Sequence, residues 1–517
     1  MKRWTAMFLA GVMLMLTACG QPAAEPTVSV EPAPAPTEGF KEPWALRREK
    51  MTQAEAEKGP EQLVTLKTRL GTVQGVQQEG YREFRGVRYA VAERWQDAVA
   101  ITEPWDGVYD ATQWGDQSLQ YRGFYGKADS LINQFYADES LVTFPAGYSE
   151  DSLNLNIWTP DAAKNCPVLL YIHGGSFVTG SNVDPSTDGE AYANHGIITV
   201  AINYRLGPFA NLYGDGYNGN LALTDQLTAI RWVRDNIADY GGDPSRITIM
   251  GESAGAISVQ DLLISPLVEE GLIAGAIMLS AGGSMSAMGS PTTSAMMGAV
   301  WDQVKSAAGA EHISNLTALS DRELFELWNK NLGGYAAIAA NPILNGVSLV
   351  DDVNTSLGNG SVKDVPTMIG MLSNDMMPYM LYQAATDYGQ KRAAAGGEPV
   401  YLYYFDRCQP GDDAGAFHAA DLYYVFGTLY RNWRPFEDTD FRIADDMIDY
   451  VSNFVKTGDP NGDGLAQWEP AGESGQRFLH FGDEKAAMIT VDPAKILENQ
   501  MAYPMFPMAK AVKEPAE

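Results

Sequence analysis

The chain has 517 residues, 45% of them hydrophobic, enough apolar material for a large core. Its 65 acidic against 36 basic side chains give a net charge of −29, which argues against nucleic acid as a partner and favours solubility as the meaning of the charge. The three cysteines form no C-x-x-C and no cluster with histidine, so neither a metal nor a cofactor is expected.

Lys2 and Arg3 open the chain, and residues 6–16 form an apolar run too short for an ordinary membrane span. Residues 1–18 therefore read as a signal peptide. The run ends in Leu16-Thr-Ala-Cys19-Gly20, which resembles a bacterial lipobox. That resemblance implies cleavage before Cys19, a diacylglycerol on its sulfur, and an extracytoplasmic lipoprotein held at a membrane. Residues 19–60 read as a tether, because Pro22, Pro26, Pro32, Pro34, Pro36 and Pro43 among Ala, Glu and Thr resist packing. A short helical piece is predicted over 45–58. Nothing later stays apolar for the ~18 residues of a spanning helix. The folded body is placed at 61–500, and 501–517 form a tail.

Within the body, residues 120–149 show little periodicity and many aromatics, a long loop suited to covering a cleft or to packing on itself. Residues 168–172 and 197–203 are apolar strands. Residues 223–240 read as a helix, with Leu227, Ile230, Val233 and Ile237 spaced three and four apart. Asp243-Pro244 breaks the chain before a strand at 246–250, and 256–264 are helical again. Met285, Met288, Met296 and Met297 follow a strand at 276–279, as an adaptable apolar surface or as core. Strands follow at 366–372 and 400–405. Strands alternating with helices predict an α/β fold with a mostly parallel central sheet covered by helices on both faces.

Between strand and helix stands Gly251-Glu-Ser253-Ala-Gly255, a G-x-S-x-G nucleophile elbow. A serine on that turn is exposed above the sheet, and the glycines permit the turn. The hydroxyl needs a base, and the base an orienting acid, in the chain order Ser, acid, His of an α/β-hydrolase. Of the five histidines, order removes His173 and His195. His312 opens a polar helical stretch and His480 sits inside a strand, so His418, in a loop beyond the 400–405 strand, is favoured. For the acid, Asp375 follows the 366–372 strand, while Asp351 and Asp352 also follow an apolar stretch and compete. Tyr171-Ile-His-Gly-Gly-Ser-Phe177 resembles the H-G-G-G loop of esterases, which supplies backbone donors for an oxyanion, and the N–H of Ala254 adds another.

Together these segments resemble the type-B carboxylesterase family, over about 64–481. Phe84-Arg-Gly-Val-Arg-Tyr-Ala90 is similar to its F-x-G-I-P-Y-A, with Arg88 where proline is usual. Glu150-Asp-Ser-Leu-Asn-Leu-Asn-Ile-Trp158 is similar to its E-D-C-L-x-L-N-I-W, and Asn203-Tyr-Arg-Leu-Gly207, Gly219-Asn-Leu-Ala-Leu-Thr-Asp-Gln226 and Tyr240-Gly-Gly-Asp-Pro244 also match. The resemblance implies Ser253 as nucleophile, His418 as base and Asp375 as acid, five residues after Gly370 where the family usually has glutamate. It implies Gly175, Ser176 and Ala254 as the oxyanion donors, with Gly174 a structural neighbour.

The departures have consequences. Asp375 is one methylene shorter than glutamate, and Met376 replaces a glycine. Ser118 and Ser152 stand where many members have a disulfide, which predicts an unstapled, more mobile loop. No tryptophan lies between them, so a choline ester is not expected. Asp459-Pro-Asn-Gly-Asp-Gly464 resembles the start of a calcium loop, but Pro470 stands where a bidentate glutamate is needed. The expected activity is hydrolysis of a small-molecule carboxylic ester through an acyl-enzyme. The alternatives are a non-catalytic surface binding protein on the same fold, and hydrolysis of an amide, thioester or lactone.

Overall fold

A computed structural model describes residues 61–121, 140, 144–285, 292–332, 339–411, 414–472 and 476–502. The expected signal peptide, Cys19, the tether with its helical piece, and the tail beyond 502 lie outside these residues. So do Met288 and most of the aromatic 120–149 loop.

Thirteen strands form one sheet among the described residues. In chain order they are β1 (Gln62–Thr68), β2 (Gly71–Gln77), β3 (Tyr81–Arg88), β4 (Val108–Asp110), β5 (Asn154–Pro160), β6 (Cys166–Ile172) and β7 (Ile198–Ile202), then β8 (Gly242–Glu252), β9 (Gly275–Leu279), β10 (Thr367–Leu372), β11 (Val400–Phe405), β12 (Arg477–Phe481) and β13 (Ala487–Thr490). Their order in space is β1-β2-β3-β5-β7-β6-β8-β9-β10-β11-β12-β13, with β4 beside β2. From β7 to β12 every neighbouring pair is parallel, and the two ends are antiparallel except that β4 runs parallel to β2.

The parallel strands are apolar at successive positions because both their faces are covered. Val168, Leu170 and Ile172 of β6 enter one core with helices α1 (Leu221–Asn236) and α2 (Ala254–Ile264). Leu169 and Tyr171 point the other way, into a second core with Ile443, Met447, Val451 and Phe454 of the long helix Asp438–Thr457. The period of two in β6 thus divides the molecule into two layers of helix around one sheet. The predicted α/β-hydrolase architecture is the one observed.

One local expectation needs correction. Asp243-Pro244 does not end the chain's extended path. It lies in a bulge inside β8, where the partners of Cys166 and Val168 are Gly242 and Ile247. Of the methionines left between surface and core, Met285 and Met297 are core, Met297 in one cluster with Trp301, and Met296 is exposed. Where many members of the family have a disulfide, two hydroxyls meet. The hydroxyls of Ser118 and Ser152 are 2.8 Å apart and buried, and Ser118 also donates to the carbonyl of Tyr204 at 2.6 Å. Cys166 and Cys408 are separate thiols.

Candidate active site

Strand β8 delivers its last residue, Glu252, to the rim of the sheet, and α2 starts two residues later. Ser253 between them has φ 54° and ψ −119°, a conformation that costs a non-glycine residue ~1–3 kcal/mol. Its N–H donates to the carbonyl of Leu279 at 2.9 Å, which ties the turn to the end of β9. The flanking glycines are there for space. A Cβ on Gly251 would lie 2.2 Å from the carbonyl of Gly255, and one on Gly255 would lie 2.0 Å from the carbonyl oxygen of Ile172. The elbow is packed so tightly because all eleven residues of α2 are buried against the sheet.

Two loops from the same rim meet beside it. The N–H of Asn374, just past β10, donates to the carbonyl of Ala416 at 3.1 Å, and Asn374 and Phe417 form a parallel bridge. This join sets Asp375 against His418, with Nδ1 of His418 2.7 Å from Oδ1 of Asp375. The same Oδ1 accepts the N–H of Met376 at 2.6 Å, so the residue in place of the family's glycine holds the shorter carboxylate. Both side chains are buried. Of the competing acids, Asp352 caps the helix Val353–Asn359 by accepting from Thr355, and Asp351 lies beside Asn359; neither is brought to a histidine.

The other face of His418 turns to the elbow. Its Nε2 lies 3.3 Å from Oε1 of Glu252, the residue before Ser253. Sequence reasoning passed over Glu252 because it fills a free position of the elbow motif. A signal was available in its place directly after the apolar run Ile247–Met250, whose burial Glu252 shares. Asp421, three residues after His418, was also missed. It is fully buried, and its Oδ2 accepts the hydroxyl of Tyr403 at 2.5 Å.

These carboxylates decide the charge on the imidazole. Burial opposes protonation of His418, but Asp375 and Glu252, the hydrogen bond to Asp375 and the field of Asp421 outweigh it and push its pKa up to about 9. Burial pushes Asp421 up to about 6, against the Tyr403 hydrogen bond that holds it down. His173 is the opposite case. Burial lowers it to about 4, and its ring stacks on Tyr204 with centroids 4.4 Å apart. It serves the loop wall as a neutral side chain.

That loop carries Gly175, Ser176 and Phe177 at φ 102°, 55° and 58°. Three successive residues with positive φ turn the backbone sharply. A Cβ on Gly175 would lie 2.3 Å from the carbonyl oxygen of Thr179. The carbonyl of Gly175 is occupied by the N–H groups of Val178 and Thr179, each at 3.0 Å. The N–H groups of Gly175 and Ser176 donate to no backbone carbonyl among the described residues. Ala254 is the first residue of α2, so its N–H has no partner one turn back. Gly255 packs its Cα against the carbonyls of Ile172 and His173, which brings this loop and the start of α2 together.

The remaining histidines sit elsewhere. His195 lies 3.2 Å from Asp449, His312 starts a 3-10 turn, and His480 pairs with Asp406 at 2.6 Å on the strand predicted for it. Asp459 accepts the N–H and side-chain amide of Asn461, an ordinary turn arrangement. No group of three or more metal-ligating side chains gathers among the described residues.

Comparison with known proteins follows the same lines. The model of the Carboxylesterase family matches residues 61–393 and 374–499. Para-nitrobenzyl esterase of Bacillus subtilis is 39% identical over 228 residues, which span 42% of this chain and 43% of that protein. Phenmedipham hydrolase of Pseudarthrobacter oxydans is 28% identical over 489 residues, 81% of this chain and 95% of its own. The crystal structure of a Geobacillus stearothermophilus carboxylesterase superposes with a TM-score of 0.71 at 28% identity, covering 84% of this chain and 99% of that one.

Proposed function

This chain belongs to the carboxylesterase family and is a carboxylic ester hydrolase, and from that premise we propose that Ser253, His418 and Asp375 act as a triad through an acyl-enzyme. His418 Nε2 takes the proton of Ser253, whose oxygen attacks the ester carbonyl. The N–H groups of Gly175, Ser176 and Ala254 receive the developing oxyanion, and each such donor is typically worth ~100- to 1,000-fold in turnover. His418 then gives its proton to the leaving alcohol and, in the second half, takes one from water. Asp375 fixes the tautomer that leaves Nε2 free to accept.

The observation that carries this reading is the orientation of His418. Nδ1 is held by Asp375 at 2.7 Å, and Nε2 faces the residue that precedes Ser253. The test is hydrolysis of p-nitrophenyl acetate, butyrate and octanoate by the full chain beside Ser253→Ala, with a fluorophosphonate label mapped by peptide mass. Hydrolysis that disappears in the variant, with label on Ser253, supports the triad. Hydrolysis retained in Ser253→Ala rejects it.

We also propose that the enzyme is a lipoprotein anchored through Cys19. The support is Leu16-Thr-Ala-Cys19 after a short apolar run, followed by the proline-rich 19–60 segment. Growth with labelled palmitate should mark the wild type but not Cys19→Ser. A wild type that stays unlabelled and partitions to the aqueous phase of a detergent extraction refutes it.

A further inference from the structure

Gln120 takes no part in the triad, and it stands two residues beyond Ser118 of the buried hydroxyl pair. Its own stretch of chain is well anchored. The hydroxyl of Ser118 meets Ser152 and the carbonyl of Tyr204, and Leu119 is buried in one cluster with Trp95 and Trp301. From this base the Gln120 side chain, 3% exposed, reaches across 60 positions to the loop that carries Gly175 and Ser176. Its Oε1 accepts the hydroxyl of Thr179 at 2.5 Å and the N–H of Gly180 at 3.2 Å. Its Nε2 donates to the carbonyl of Gly180 at 2.9 Å and to that of Ser118 at 3.2 Å. The orientation of the amide is settled by these partners, because a backbone N–H only donates and a carbonyl only accepts. Every donor and acceptor of the buried amide is therefore used, and most of them on Thr179 and Gly180.

Thr179 and Gly180 form the returning limb of the loop and stand against the limb that carries the donors. The carbonyl of Gly175 accepts the N–H of Thr179 at 3.0 Å. A Cβ on Gly175 would lie 2.3 Å from the carbonyl oxygen of Thr179, and one on Gly180 would lie 2.4 Å from the carbonyl oxygen of Gly174. With no side chain at either glycine the two limbs touch backbone to backbone, so a shift of Thr179 and Gly180 carries the N–H groups of Gly175 and Ser176 with it. An apolar side chain of the same length would fill the space at Gln120. Only the amide sets where Gly180 stands, because it grips both the N–H and the carbonyl of that residue.

We propose that Gln120 is a positioning residue for ester hydrolysis, which by gripping Thr179 and Gly180 holds the N–H groups of Gly175 and Ser176 where the oxyanion forms. The proposal rests on the Ser253 acyl-enzyme reading above. As Ser253 Oγ bonds to the ester carbon, the π pair of the carbonyl moves onto its oxygen and the Ser253 proton goes to His418 Nε2. Gln120 exchanges no proton and touches no substrate atom. Donors set for the oxyanion stabilise that state more than the neutral ester, so loss of the grip lowers kcat and spares KM.

The experiment uses the full chain as wild type, Gln120→Met, Thr179→Val and Thr179→Ser. It follows p-nitrophenyl butyrate hydrolysis, inhibition by phenyl trifluoromethyl ketone, whose adduct with a serine carries an oxyanion, and a thermal melt of each protein. Gln120→Met keeps the length of the side chain and removes its hydrogen bonds. Its kcat should fall ~10- to 100-fold with KM unchanged, the loss expected when reacting groups are misplaced by up to about an ångström. The ketone Ki should rise by the same factor, because the ketone adduct and the transition state use the same donors. Thr179→Val removes the hydroxyl's bond alone and should lower kcat by less, ~3- to 10-fold, while Thr179→Ser, which restores the hydroxyl, should recover that loss. A folded Gln120→Met that keeps the wild-type ketone Ki overturns the proposal, and so does a loss confined to KM. If Gln120→Met does not fold, a Thr179→Val unchanged in kcat and ketone Ki overturns it alone. A wild type that hydrolyses ester without fluorophosphonate labelling at Ser253 removes the underlying reading instead, and so separates the two failures.

Discussion

The carboxylate of Asp375 holds His418 at 2.7 Å although it is one methylene shorter than the glutamate usual in the family. The reach is recovered by the backbone: the Asn374–Ala416 hydrogen bond draws the two loops together, and the N–H of Met376 fixes Oδ1 in place. Asp375→Asn keeps the shape but presents an amide to Nδ1, which favours the wrong tautomer. The expected result is a fall in kcat of about 10⁴ with the fold intact. Stopped assays at saturating substrate, beside a circular dichroism spectrum, check it. A fall below tenfold means that Asp375 is not the orienting acid.

The pH profile follows from the same site. Neutral His418 is the base, and a pKa raised to about 9 means that the neutral form is lost as pH falls through that value. The acid limb of kcat/KM should therefore lie above the ordinary histidine value of about 6.5. Glu252 is among the groups that raise it, so Glu252→Gln should move the limb to lower pH. Rates with p-nitrophenyl butyrate from pH 5 to 10 measure both. A limb at or below 6.5 in the wild type contradicts the charge arrangement around His418.

The elbow glycines differ sharply from others in the chain. Gly255→Ala puts a methyl 2.0 Å from the carbonyl of Ile172, in a helix with no exposed face along which to shift. A loss of ~2–4 kcal/mol is expected, visible as a lower urea midpoint. Gly358, inside the helix Val353–Asn359, has open space around it and no positive φ. Gly358→Ala should stabilise by ~0.4–1 kcal/mol. Equal midpoints for the two variants would remove the steric account of the elbow.

Much of this was legible because strong local patterns carried it. The apolar runs that became β6, β7, β10 and β11 could only be covered strands, and Gly251 and Gly255 bracket a turn that few other residues permit. His418 was found by elimination among five histidines. What the sequence hid was long-range. Glu252 looks like an ordinary acid until the fold sets it 3.3 Å from the imidazole of His418, and 18 positions separate Tyr403 from the Asp421 carboxyl it holds. The bulge at Asp243-Pro244 was read as a break because local propensity does not report that Gly242 still pairs across to Cys166.

The Ser118–Ser152 pair yields the last prediction, because its two hydroxyls are not equivalent. Ser118 donates to the carbonyl of Tyr204 at 2.6 Å and meets Ser152 at 2.8 Å, so it takes the proton of Ser152. Ser152→Ala removes one donor and leaves Ser118 still bonded, a change of ~1 kcal/mol. Ser118→Ala leaves both the buried hydroxyl of Ser152 and the Tyr204 carbonyl short of a partner, which should cost ~1–3 kcal/mol. Tyr204 stacks on His173 and donates to its carbonyl at 2.9 Å, beside Gly174 and Gly175. Ser118→Ala should therefore also lower kcat, by loosening the wall behind the oxyanion loop, while Ser152→Ala should not. Denaturant midpoints and kcat for both variants decide it: the same stability loss in each, or a kcat effect confined to Ser152→Ala, would mean that the hydroxyl pair is not oriented toward Tyr204.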